Sequence, residues 1–92
     1  MYVIICYDVQ DDKTRERIAE ILLDYGVRIQ KSVFECELKP EQLPVLKRRL
    51  SEAMDVEEDS LCFYHLCETC RLRAERFGAS KQRYEESQRW II

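Results

Sequence analysis

The sequence predicts an α+β, ferredoxin-like (βαββαβ) sandwich, and three observations point there. The chain opens on Met1-Tyr2-Val3-Ile4-Ile5-Cys6-Tyr7-Asp8-Val9, an apolar strand with one carboxylate at its far end. Two later segments, one from Lys13 and one from Pro40, repeat apolar residues at helical spacing. The full order of periodicities is strand, helix, strand, strand, helix, strand, which is the split βαβ pattern. In that arrangement both helices lie on one face of the sheet, and the other face is free for dimerisation or ligand binding.

The first strand is apolar on both sides. Tyr2, Ile4 and Cys6 point one way with Asp8, and Val3, Ile5, Tyr7 and Val9 point the other. Such a strand must be covered on both faces. Two helices cover only one, so the second face calls for another protomer, and Asp8 then lies where two copies meet. Asp11 and Asp12 are good N-cap residues. Ile18, Ile21, Leu22 and Tyr25 follow at spacings of three and four, predicting a helix over 12–25, with Gly26 where a C-cap takes a left-handed residue. Val27 to Leu38 alternates for much of its length, enough for two short strands with a tight turn near Lys31 or for one bent strand.

Pro40 marks the second helix, at a position where its missing N–H costs nothing. Leu43, Leu46, Leu50 and Met54 form its apolar face, and Lys47, Arg48 and Arg49 its solvated side. Asp55 to Ser60 reads as an acidic turn, Leu61 to Leu66 as a strand, and residues 67–77 as a short helix ended by Gly78. The domain is therefore 1–78. The tail, 79–92, is charged and closes on Trp90-Ile91-Ile92, an apolar tripeptide expected to dock as an edge strand on the partner subunit.

Bulk properties narrow the function. A chain of 92 residues makes one domain, small enough that oligomerisation helps its stability. With 46% hydrophobic and 36% charged residues it is neither disordered nor of low complexity. The net charge of −3 argues against nucleic-acid binding through bulk charge. A local basic patch can still assemble from Arg15, Arg17, Arg28, Arg71, Arg73 and Arg76. No apolar run approaches the ~20 residues of a membrane span, and the first strand lacks the basic start of a signal peptide. Five cysteines without a secretion signal fit reduced thiols, so the expected location is cytoplasmic.

One ordered set of residues is more specific. It comprises the Tyr2 to Val9 strand with Tyr7-Asp8, then Asp11-Asp12-Lys13, Arg15-x-Arg17 and Tyr25-Gly26. Arg28 to Leu38 and Glu57-Glu58-Asp59-Ser60 follow, then a strand closing on Leu66-Cys67. This set, running from Met1 to about Gly78, resembles the CRISPR-associated endoribonuclease family called "Cas two", the small protein of CRISPR spacer acquisition. The resemblance implies a ferredoxin-like homodimer in which Asp8 meets its two-fold mate and binds magnesium. It implies a metal-dependent nuclease acting on single-stranded RNA or double-stranded DNA. It also implies a partner, the CRISPR integrase "Cas one", two dimers of which the small protein bridges while DNA is measured and inserted. In that assembly the small protein can be scaffold rather than catalyst. The family pattern further implicates Tyr7, Arg15, Arg17, Arg28 and Phe34; the tail beyond Gly78 is not set by the motif.

The chemistry of these residues is consistent with such roles. Magnesium prefers oxygen ligands and keeps several waters, so two symmetry-related Asp8 carboxylates suffice for a site. The residues alone favour a solvated strand-end carboxylate at Asp8, and it is the resemblance that turns the reading to metal binding. Arg15 and Arg17, early in the first helix, are either bidentate phosphate ligands or members of a solvated helix face with Glu16 and Glu20. Arg28 and Lys31 extend a surface that tracks a nucleic-acid backbone without reading sequence. Tyr7 and Phe34 either stack on bases or pack in the core or the dimer contact. Cys67-x-x-Cys70 with His65 offers only one of the two ligand pairs that structural zinc normally needs, and Cys62 lies on the opposite strand face from His65. These thiols are expected to be buried or half-buried, and Cys6 and Cys36, as strand residues, read as small core hydrophobes.

Overall fold

A computed structural model describes residues 1–75, 77 and 78. Its elements are β1 (Tyr2–Asp8), α1 (Asp12–Leu23), β2 (Gly26–Gln30), β3 (Val33–Glu37), α2 (Gln42–Ala53), β4 (Ser60–Leu66) and α3 (Glu68–Leu72). The four strands form one antiparallel sheet in the order β2-β3-β1-β4, so β1 is central. This is the ferredoxin-like arrangement. The tail over 79–92, with its expected edge strand, lies outside the described residues.

Register explains which side chains meet. β1 pairs with β3 through Val3↔Cys36 and Ile5↔Phe34, and with β4 through Ile5↔Phe63 and Tyr7↔Leu61. These residues share the helix-covered face. Val3, Ile5, Tyr7, Val9, Phe34 and Cys36 are buried there against Ile18, Ile21 and Leu22 of α1 and Leu46 and Leu50 of α2. The opposite face carries Ile4↔Tyr64, Cys6↔Cys62 and Asp8↔Ser60, and no helix covers it along these pairs. Tyr64 is 54% exposed, and Ile4 and Cys6 are partly exposed. Tyr2, at the other end of this face, is buried beneath the Arg71 guanidinium, 5.0 Å from its ring centroid.

Local chemistry sets the boundaries. Asp11 caps α1: its Oδ2 accepts from the Thr14 backbone N–H at 2.9 Å and from the Thr14 hydroxyl at 3.0 Å. The helix ends at Leu23, two residues before the predicted limit, and Asp24 rather than Gly26 is its C-cap. Gly26 instead opens β2. Its value is room, not a left-handed φ: a Cβ there would lie 2.2 Å from the Glu35 carbonyl oxygen and 2.6 Å from Cys36 Sγ. α2 starts at Gln42, two residues after Pro40, and accommodates Pro44 in its first turn, where backbone N–H groups have no helical partner. α3 spans only Glu68–Leu72, shorter than the predicted 67–77, while Gly78 does take the left-handed φ of 81°.

Candidate active site

The site forms where β1 runs out. Asp8 is the last residue of the strand and is exposed, because the ladder ends there and β4 offers only Ser60 opposite it. It stands on a ridge between two hollows. On one side is a cleft of about 410 Å³ walled by Tyr7, Arg15, Arg28 and Lys31. On the other, along the open sheet face, is a smaller hollow of about 170 Å³ that Cys6, Ser60, Cys62 and Tyr64 line.

The cleft is built by cross-bracing. The β2–β3 turn is pinned to β1 twice, since the Tyr7 backbone N–H donates to the Ser32 carbonyl at 3.1 Å and the Tyr7 hydroxyl to the Lys31 carbonyl at 3.2 Å. Arg28 grips the same Lys31 carbonyl with Nε at 3.1 Å and Nη2 at 2.7 Å, and reaches the Tyr7 hydroxyl at 3.5 Å. Its guanidinium lies 5.5 Å from the Phe34 ring centroid. The pairing of β2 with β3 shifts register between Arg28 and Gln30, next to this turn. From the other wall Arg15 donates Nη1 to the Val9 and Gln10 carbonyls at 3.1 and 3.2 Å, and its Nη2 pairs with Asp12. The segment that leaves Asp8 is thereby held against the start of α1.

Electrostatically, three cations line the cleft beside one exposed carboxylate. Both arginines spend donors on backbone carbonyls, so they act first as frame and second as fixed positive charge. Burial pushes the Tyr7 hydroxyl above the usual phenol range, opposed by the neighbouring Arg28 charge. It therefore stays protonated at neutral pH and serves as a donor.

The expected site residues separate into three groups. Tyr7, Asp8, Arg15, Arg28 and Lys31 are brought together. Arg17 is not: it lines a different hollow with Arg49 and Glu52, and its Nη1 sits 3.7 Å from Glu20. Two residues along a helix turn the side chain by ~200°, so Arg15 and Arg17 cannot share a cleft. Phe34 is fully buried, and Tyr7 is only 5% exposed, their rings stacked at 6.2 Å. Neither ring offers a face to a base; Phe34 lies beneath the Arg28 guanidinium, and Tyr7 meets it through its hydroxyl. The six-arginine patch does not form either, since Arg71 lies over Tyr2 at the far end of β1. Sequence reasoning missed Gln10 and Ser32, which complete the cleft rim. Their neighbours Arg15 and Lys31 were the only signal available.

Magnesium chemistry fits this donor set in part. The oxygen ligand is right and exposed, but no group of three or more His, Cys, Asp or Glu side chains converges among the described residues. Asp8 is thus the one carboxylate that the cleft and the neighbouring hollow share among the described residues.

Comparison with known proteins places the chain. The family model for CRISPR associated protein Cas2 matches residues 1–74. A relative in Nitratidesulfovibrio vulgaris, CRISPR-associated endoribonuclease Cas2, is 44% identical over 84 residues, covering 86% of this chain and 82% of its own. The crystal structure of Streptococcus pyogenes Cas2 superposes with a TM-score of 0.77 at 36% identity, over 85% of this chain and all of that one. A chain in a partial Cas6-RT-Cas1–Cas2 complex gives a TM-score of 0.71 at 31% identity, covering 82% of each. No helix among the described residues is long and apolar enough to cross a membrane. With the match running through both walls of the cleft and through the Asp8 strand, the chain belongs to the CRISPR-associated Cas2 family.

Proposed function

We propose that this chain is a spacer-acquisition protein that works as a homodimer, paired through the open sheet face, and cleaves phosphodiesters at Asp8 with magnesium. The observation that carries the reading is the position of Asp8: an exposed carboxylate on the ridge between the cationic cleft and the uncovered face of the sheet. Pairing copies through that face brings the two carboxylates together. Relatives bear endoribonuclease and endonuclease names, which supports phosphodiester hydrolysis; the proposed substrates are single-stranded RNA or double-stranded DNA. The complex that contains Cas1 supports an integrase partner.

Each group then has a defined task. The two Asp8 carboxylates hold magnesium, which when bound activates water and offsets phosphate charge. Lys31, whose carbonyl rather than its ammonium joins the frame, contributes that ammonium to the phosphate backbone. Arg15 and Arg28 keep the cleft walls apart at fixed separation and add positive field. The Tyr7 hydroxyl, protonated and bonded to the turn, holds Lys31 in register.

A second reading has its own observation. One carboxylate per chain is sparse for a nuclease, and both cleft arginines are already committed to backbone. An architectural subunit that binds DNA and bridges integrase dimers needs no more than this. Cleavage of labelled single-stranded RNA and double-stranded DNA, with and without magnesium, separates the two. Hydrolysis expects Asp8→Ala to lower the rate by about a hundredfold or more, with the dimer intact. Equal cleavage by Asp8→Ala and wild type, purified side by side, would leave the architectural role.

A further inference from the structure

Cys67 and Cys70 lie away from the Asp8 cleft, and the structure overturns their expected burial. β4 ends at Leu66, Cys67 takes the N-cap of α3 with extended backbone, and Cys70 follows in the first turn. Both are exposed, because α3 is too short to pack against the sheet along its length. The Cys67 and Cys70 sulfurs lie 3.5 Å apart, within hydrogen-bonding reach of each other. A strand that feeds a helix through Cys-x-x-Cys, with the sulfurs already adjacent, is the local arrangement of dithiol redox motifs.

The two sulfurs are not equivalent. The Cys70 backbone N–H and then its thiol draw Cys67 below the ordinary thiol range. The same thiol–thiol bond pushes Cys70 up, with the Cys67 charge adding to it. Cys67 is therefore the attacking thiolate and Cys70 the resolving thiol. Cys36, by contrast, is buried and pushed up to about 12, which leaves it inert. A metal reading lacks ligands, since no third His, Cys, Asp or Glu joins the pair among the described residues.

The pair is wired to the sheet. The Arg71 backbone N–H donates to the Cys67 carbonyl at 3.1 Å, its Nη2 reaches Glu68 at 3.1 Å, and its guanidinium covers Tyr2. We propose that Cys67 and Cys70 form a reversible dithiol–disulfide site, oxidised by exchange with a low-molecular-weight disulfide, that locks the first turn of α3 and with it the Arg71 cap over Tyr2. With oxidised glutathione, the Cys67 thiolate attacks one sulfur, forming a mixed disulfide and releasing one glutathione thiolate. Cys70 then loses its proton and attacks Cys67 Sγ, which breaks the mixed disulfide and releases the second glutathione. Two protein S–H groups become one S–S bond, oxidised glutathione becomes two thiols, and the two protons pass to those thiols.

The test equilibrates the full chain in a series of reduced and oxidised glutathione, quenches with acid, alkylates, and maps thiols by peptide mass spectrometry. The expected result is paired loss of the Cys67 and Cys70 thiols in one transition, with Cys70→Ser trapping a single glutathione on Cys67. Backbone amide exchange at Arg71 should slow about tenfold in the oxidised chain. Independent glutathione adducts on both cysteines, pairing of Cys6 with Cys62 instead, or unchanged exchange at Arg71 would each overturn the proposal.

Discussion

The two faces of β1 differ by one residue of phase and by everything that follows from it. Val3, Ile5, Tyr7 and Val9 are 0–5% exposed and hold the sheet to both helices. Ile4, Cys6 and Asp8, on the same strand, stay partly or fully exposed and have no helix to meet. The covered face makes the fold; the open face ends in the exposed carboxylate of Asp8. The lesson is that a small domain can leave one face of a strong apolar strand uncovered by its own helices, which is the face the proposed pairing would use.

The contrast can be broken from either side. Ile5→Ala empties a fully buried core position and should destabilise the domain by about 3–4 kcal/mol in urea unfolding, whereas Ile4→Ala should cost the single chain about 1 kcal/mol or less. Equal losses would mean that both faces are covered within one chain. Gly26→Ala forces a Cβ against the Glu35 carbonyl where β2 meets β3, and should cost about 2–3 kcal/mol by the same measurement. Arg28→Met keeps the stem over Phe34 and removes the donors to the Lys31 carbonyl. It should cost about 1–2 kcal/mol and loosen the cleft wall, visible as faster amide exchange in the 31–32 turn.

The smallest expected effect is acid fraying of α1. Backbone and hydroxyl donation from Thr14 holds Asp11 below its ordinary value of 3.8. Its folded-state pKa is depressed, so the cap's contribution is fully present above that ordinary value and is lost as pH falls through the folded value. The Thr14 amide should exchange faster below that point in wild type. In Asp11→Ala it should exchange at one elevated rate throughout the titration.

Much of this was legible in the sequence. The two-sided apolar pattern of residues 2–9 announces a central strand, and the Leu43, Leu46, Leu50 repeat announces α2. Asp8 at a strand end, with Arg15, Arg28 and Lys31 near it, could also be read. Cross-strand register could not, because pairing is decided between strands far apart in the chain; hence Cys6 opposite Cys62 came only from the structure. Arg15 and Arg17 share a motif at the start of one helix, but their two-residue spacing points them in nearly opposite directions. Tyr7 and Phe34 look equally suited to stacking or to packing, and only burial decides. The exposed Cys67 and Cys70 follow from the shortness of α3, whose end no local signal marks.

The claim that the open face completes the site is tested most directly by sedimentation of wild type and Tyr64→Glu, with magnesium-dependent cleavage measured on the same samples. Tyr64 is exposed, so the variant should keep its fold. The expected result is a wild-type dimer that cleaves and a folded Tyr64→Glu monomer that does not. A monomeric wild type, or a monomeric variant that cleaves equally well, would contradict it.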